Sequence, residues 1–326
     1  TLRVNVFRGA SNIPVYMAQE NGAFARRGIT PVLQFTPNSD QQRTGLAAGR
    51  FDIAIAAVDN AVAMVEVAKH DVIIVAGGDG GMRGFIHDEI VQVYANAITP
   101  RTRLLMVCHM INITGHVLPV KKICDMAHAR GVPVMVDGAH AFAQLDFRIP
   151  DLGCDFYGAS LHKWLGTPLG AGMLYVRRDA IEKLWPLYGD EGQPATSIAK
   201  LNHTGTHPVH TDLAIDDAIN FHEEIGIQRK EARLRWLQQY WTTKVRGVPR
   251  VRLFTPSDPA RTGAIANVGI DGMKPGDLAT ALMDRFKIFT VAIDTAGVTG
   301  VRVTPQLFTT TAELDAFIRA ITQLAA

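Results

Sequence analysis

Cysteine is scarce in this chain, with Cys108, Cys124 and Cys154 the three in 326 residues. An odd, sparse set is no disulfide framework, and the spacing matches no zinc site. The thiols read as reduced and mostly buried, which points to the cytoplasm rather than the periplasm. No apolar run approaches the ~20 residues that cross a bilayer, and no signal peptide is visible, so no membrane partner is expected. A strong charge of either sign is also missing: 33 Lys and Arg against 31 Asp and Glu leave +2. Nucleic acid is not an expected partner, because no basic face is concentrated enough to bind it. There is no internal repeat and no low-complexity run. What is present, 47% hydrophobic and 20% charged residues, is ordinary globular composition. The length suits two or three domains with a sizeable core.

Strand and helix signals alternate along the first 78 residues. Strands are predicted at Arg3–Phe7, Pro31–Thr36, Asp52–Ala57 and Val72–Ala76. Between them fall a helix over Pro14–Arg27, started by Asn12 and stopped by Gly28, a helix from the Ser39 cap to Ala48, and one from the Asp59 cap to His70. Such alternation builds a parallel sheet with helices on its faces. Gly77 to Gly84, GGDGGMRG, is a connection or, alternatively, a phosphate cradle; it fits neither G-x-G-x-x-G nor the P-loop. The rhythm then resumes. Helices are predicted at Asp88–Ala97 and Pro119–Ala129, and strands at Leu104–His109, Val132–Asp137, Phe156–Ser160 and Ala171–Val176. Asp212–Lys244 reads as helical throughout, and residues 250–326 as a smaller α+β unit with helices at Pro275–Arg285 and Thr311–Gln323.

Three polar side chains sit where predicted strands end: Asn112 and Lys163 follow theirs, and Asp137 closes its own. Ligands of parallel α/β sheets bind outside the carboxyl ends of strands, so the three are expected to converge on one crevice. A lone Lys or Asp is more often a solvated surface group; position after an apolar strand argues against that here. A pyridoxal 5′-phosphate (PLP) enzyme needs this set: a lysine amine for the Schiff base, a carboxylate for the pyridinium nitrogen, donors around the phosphate, and an arginine fork for the substrate carboxylate. Lys163, Asp137, Ser160 with His162, and Arg302 supply one candidate each.

The stretch VMVDGAHAFAQLDF, followed by FYGASLHKWLGTPLGAGMLYV, resembles the class V aminotransferases of PLP fold type I, nearest to isopenicillin N epimerase-like members. ITPRTRLLMVCHMINITGHVLPV from Ile98 and GVRVTPQLFTTTAELDAFIRAI from Gly300 extend the likeness over about 85–326. The resemblance implies that Lys163 holds PLP and moves the proton at the substrate Cα, and that Asp137 pairs with the ring nitrogen. It implies His140 beside O3′, Ser160 and His162 on the phosphate, Asn112 near O3′ or the substrate, and Arg302 on the substrate carboxylate. Gly205 and Thr206 resemble the segment that reaches the phosphate of a neighbouring subunit, so a homodimer and an amino-acid substrate are implied. Aminotransferase or epimerase chemistry is favoured over cysteine desulfuration, since no cysteine follows Cys154. His203, His207 and His210 cluster nearby, yet no acidic or cysteine partner has ligand spacing, so no metal is expected.

Residues 1–83 resemble something else. NIPVYMAQENGAFARRGI and LAAGRFDIAIA look like the opening of a periplasmic substrate-binding protein of the nitrate, sulfonate and thiamine-precursor group. The phosphate loop and ring-stacking residue of a class V enzyme are not found in residues 1–87. The expectation is therefore a chimera joined near Gly77–Asp88, with segments 1–83, 84–228 and 229–326. Its fold class is α/β: a parallel sheet with helices on both faces, its N-terminal part replaced by binding-protein-like βαβ units, plus a smaller C-terminal α+β domain. Two alternatives stand beside an active enzyme. One is a non-catalytic fold that retains the lysine motif. The other is a small-molecule or anion-binding protein acting through residues 1–83.

Overall fold

The computed structural model describes residues 1–6, 13–36, 41–42, 45, 48–55, 87–186, 192–202 and 209–326. The chain divides into two compact units, Thr1–Val72 and Ile73–Ala326.

In the first unit, β1 (Leu2–Val6), α1 (Ile13–Glu20), β2 (Pro31–Phe35) and β3 (Ile53–Ile55) follow in order. The strands form a parallel sheet ordered β2-β1-β3. The central strand buries Val4 and Val6. The helix expected over Pro14–Arg27 stops at Glu20. Gly22 there adopts φ 72°, and the Asn21 side chain accepts a hydrogen bond from the Ala23 N–H, so the chain turns before a short 3-10 segment at Ala25–Arg27. Within the predicted strand Asp52–Ala57, Ile53–Ile55 pair with β1. Ser39, the helix capped by Asp59, the strand Val72–Ala76 and the glycine-rich segment lie outside the described residues.

The second unit begins with α2 (His87–Ala97), β4 (Leu105–Cys108), α3 (Val120–His128), β5 (Val134–Asp137), α4 (Ile149–Leu152), β6 (Phe156–Ser160) and β7 (Gly172–Val176). The sheet order is β4-β5-β6-β7. The first three strands are parallel and β7 is antiparallel. The link from Leu161 to Ala171 explains the reversal, because a parallel return needs a crossover of roughly a dozen or more residues. Alternation sorts the side chains. Leu105, Val107, Val134, Val136, Tyr157 and Ala159 are buried in one cluster with Ile90 and Tyr94 of α2 and Ile123, Cys124 and Ala127 of α3. Met106, Cys108, Met135, Asp137, Gly158 and Ser160 take the opposite parity and are half-buried. The register pairs Cys108 with Asp137 and Asp137 with Gly158, which sets Asp137 on the face turned away from that core. At the opposite end of the strands, the buried Asp155 carboxylate accepts from Val134 N and His128 Nε2, both at 2.7 Å, and pairs with Arg177 at 2.8 Å.

Next come α5 (Val209–Ile225) and α6 (Ile227–Val245). The single helical run expected over Asp212–Lys244 is two helices, broken at Gly226, whose φ of 83° no helix accommodates. The remainder is β8 (Val251–Leu253), β9 (Ala266–Ile270), α7 (Pro275–Phe286), β10 (Val291–Thr295), β11 (Val298–Val303) and α8 (Thr311–Ala325). These strands form an antiparallel sheet ordered β10-β11-β9-β8. Leu237 and Trp241 of α6, Leu278 and Leu282 of α7, and Phe317 and Ile321 of α8 form one core with Val268 and Val301 of that sheet. The indole of Trp241 packs edge-on to Phe317 at 5.2 Å. A capping box between Thr310 and Glu313 starts α8.

One buried group gives this fold an acid limit. His109, after β4, is 6% exposed, and its Nδ1 lies 3.3 Å from Tyr157 Oη. Burial pushes the imidazole down to about 4. The unfolded chain binds this proton below an ordinary value of about 6.5, whereas the folded chain refuses it until pH approaches 4. Between those values the unfolded state holds more protons, so stability falls as pH falls, by up to about 3 kcal/mol from this group. Urea unfolding at pH 7 and pH 4.5 is expected to show that loss in the wild type and a smaller one in His109→Gln. An equal pH dependence in both would remove His109 as the cause.

Candidate active site

Lys163 sits in the turn after β6, between the buried side chains of Leu161, Trp164 and Leu165. It is itself half-buried. Burial lowers its pKa, the Asp137 carboxylate partly restores it, and the Arg302 guanidinium lowers it again. Asp137 and Arg302 are thus within electrostatic reach of the Lys163 amine. They come from the end of β5 and from β11, so the site draws on both sheets of the second unit.

Asp137 is held by its own turn: Ala139 N–H donates to Oδ1 at 2.9 Å. Cys108 Sγ lies 3.9 Å from Oδ2, and burial, with the Asp137 charge, pushes the thiol up to about 12. It remains a weak S–H donor to the carboxylate. The next residue must be glycine, because a Cβ at Gly138 would stand 2.0 Å from the Tyr157 ring.

His140 follows in the same turn. Burial, then the charges of Lys163 and Arg302, hold it down to about 3, so the ring is neutral. Trp164 Nε1–H donates to His140 Nδ1 at 3.3 Å. The indole can only donate, so Nδ1 accepts and the ring proton sits on Nε2. Gln144, fully buried, donates to His140 O at 2.6 Å and accepts from Ala264 N–H at 2.6 Å, which ties this turn to the entry of β9.

Arg302 Nη1 donates to Asn112 O at 3.3 Å, and burial lowers the guanidinium pKa. Its Nε is buried with no partner among the described residues, as is His162 Nδ1. Asn112 itself is exposed. Ser160 lines an open cavity of about 200 Å³ with Met106, Met135, Asp137, Ala139 and Gly158. Structure therefore brings Asp137, His140, Lys163 and Arg302 together, places Asn112 at their edge through its backbone, and sets Ser160 beside Asp137 in the cavity wall. Thr206, Gly205, His203 and His207 lie outside the described residues, whereas His210 is exposed in the first turn of α5. Among the described residues no His, Cys, Asp or Glu group could hold a metal.

Sequence reasoning missed Cys108, Gln144 and Trp164. Cys108 had a readable signal, since it ends the strand beside the one that ends in Asp137. Gln144 and Trp164 had none, because their roles come from contacts formed only in the folded chain.

An α/β sheet whose strand ends carry a lysine and an aspartate, beside a small antiparallel sheet that brings in an arginine, is the layout of PLP fold type I. The description "Aminotransferase class-V" matches residues 60–320, and the chain belongs to that family. The match starts inside residues 1–83, so family sequence reaches further towards the N-terminus than the motifs alone indicated. Isopenicillin N epimerase of Streptomyces clavuligerus is 31% identical over 253 residues, covering 72% of this chain and 64% of the epimerase. The chain thus spans less than two thirds of that relative. The apo structure of cysteine desulfurase from Thermococcus onnurineus NA1 matches with a TM-score of 0.64 at 17% identity, over 99% of this chain and 72% of that one. A C-DES mutant with glycine covalently linked to its PLP cofactor matches with a TM-score of 0.62 at 18% identity, over 98% of this chain and 74% of that one. At those identities the structures speak for the fold alone. No helix among the described residues is long and apolar enough to cross a membrane.

Proposed function

We propose that this chain binds PLP through Lys163 and acts on an amino acid, with aminotransferase or epimerase chemistry, as a homodimer. The observation that carries this is the half-buried Lys163 amine, its pKa lowered by burial, with Asp137 and Arg302 in electrostatic reach.

The residues present fit the cofactor. Asp137 offers a carboxylate oriented by Ala139 N–H, suited to a protonated ring nitrogen. His140 is a neutral ring with its proton on Nε2, suited to donate to O3′. Ser160 and His162 are assigned to the phosphate on the resemblance; Ser160 lines the cavity beside Asp137, and the His162 Nδ1, buried with no partner among the described residues, is the type of polar atom a ligand satisfies. Arg302 brings a buried Nε–H, without a partner among the described residues, for a substrate carboxylate, and Asn112 stands beside it. Thr206 is assigned to the phosphate of a neighbouring subunit on the resemblance alone. When bound, PLP supplies an electron sink for charge developing at the substrate Cα. Lys163 holds the cofactor and, with its lowered pKa, is suited to take and return the Cα proton.

The thiols favour this chemistry over sulfur transfer. Burial pushes Cys108 and Cys124 up to about 12 and Cys154 up to about 11. A sulfur acceptor works as a thiolate, and none of these three is one near neutral pH.

The test is to titrate purified protein with PLP and follow the near-visible spectrum. A band that survives dialysis and shifts on adding particular amino acids is expected. A folded protein that gives no band is a scaffold that retains the lysine motif without its use.

A further inference from the structure

Lys230, in the first turn of α6, is fully buried and paired with no carboxylate among the described residues. Its Nζ donates to Trp164 O at 2.6 Å and lies 3.2 Å from Nδ1 and 3.3 Å from Nε2 of His222. His222, in α5, is 2.8 Å from Leu165 O through Nε2. A carbonyl only accepts, so Nε2 carries the proton, and the Lys230 amine, nearly equidistant from the two ring nitrogens, lies over the face of the imidazole. Burial, then the charge of Lys230, lowers the His222 pKa and so disfavours a charged ring. Two helices thus grip the carbonyls of the two residues directly after Lys163. The grip continues outwards, because the Trp164 indole holds His140 Nδ1. None of the roles assigned above uses Lys230 or His222.

A buried amine without a counter-ion is costly. Burial pushes Lys230 down to about 8, and an apolar side chain of the same length would fill the space without that cost. What an apolar side chain cannot do is satisfy the Trp164 carbonyl. We propose that Lys230, with His222, is a positioning clamp that holds the Lys163 turn, and through Trp164 the His140 ring, in line with Asp137. The clamp rests on the assignment of Lys163 as the cofactor lysine.

The test is Lys230→Met, which keeps the stem and removes the donors, made in the full chain without cofactor. Three quantities are read: amide hydrogen exchange over residues 161–167, reactivity of the Lys163 amine towards an acylating reagent across pH, and the melting temperature. The clamp predicts exchange in the 161–167 turn faster by tenfold or more, unchanged exchange in β9 and α8, and a Lys163 titration shifted up towards an ordinary lysine. The melting temperature fixes the conditions under which the variant is fully folded, so that faster exchange confined to the turn is read as local loosening, whereas a merely structural role would raise exchange throughout the unit. A subsequent PLP titration is expected to need about tenfold more cofactor for half-saturation. A folded Lys230→Met protein with wild-type exchange in the turn and wild-type Lys163 reactivity overturns the clamp. If Lys230→Met does not fold, His222→Leu carries the test: exchange at residues 165–167 must rise, and wild-type exchange there overturns the clamp. If neither wild type nor variant takes up PLP, the cofactor assignment fails, and the exchange and labelling data still decide the clamp.

Discussion

Lys163→Ala leaves a folded protein that no longer keeps PLP through dialysis. The fold survives because the turn is held by its neighbours: Leu161, Trp164 and Leu165 are buried, and Lys230 binds the Trp164 carbonyl. Removing the amine also removes the cost of burying it, which is what lowers the Lys163 pKa. What is lost is the nucleophile and the proton carrier together. The dialysis-stable band is expected to vanish, and any amino-acid turnover to fall by on the order of a thousandfold or more. Difference spectra before and after dialysis, with a melting curve on the same sample, check it. A band of wild-type intensity in the variant would place the covalent bond elsewhere.

Asp137→Ala is the second large effect. The carboxylate lies at the end of β5 with one oxygen fixed by Ala139 N–H and the other near a weak thiol donor. It therefore has capacity for a charged ring nitrogen. A charge-assisted hydrogen bond of this kind is worth about 1.5–3 kcal/mol, so PLP affinity is expected to fall by roughly ten- to a hundredfold. Asp137→Asn separates two causes. It keeps the oxygen that accepts from Ala139 and removes the charge. If charge is the cause, Asn loses affinity as Ala does; if the loss comes from a collapsed turn, Asn restores it. Equilibrium titration of the three proteins distinguishes these results.

Asp137 and Lys163 were legible because one closes an apolar strand and the other follows one, and the ends of parallel strands are where such sheets bind ligands. Arg302, 165 residues beyond Asp137 in sequence by subtraction, rested on family resemblance, and only the fold of the small sheet brings it near the amine. Helix signals marked α5 and α6 well but not the break between them, since a lone glycine in a helical pattern is usually tolerated; at Gly226 its φ is what turns the chain. The reversed β7 was hidden because strand signals carry no direction, and the short link after β6 was the one hint. Lys230 was invisible for a different reason. In the stretch IQRKEARLRW it looks like one of several solvated charges on a helix, and nothing local says that this one faces inwards.

The most direct test of the central claim is to load the protein with PLP, reduce it with borohydride and map the modified peptide by mass spectrometry. A single phosphopyridoxyl group on Lys163, on the peptide that also carries Trp164, is the expected result. Modification spread over surface lysines, or none at all in a folded sample, would contradict the assignment of Lys163 as the cofactor lysine.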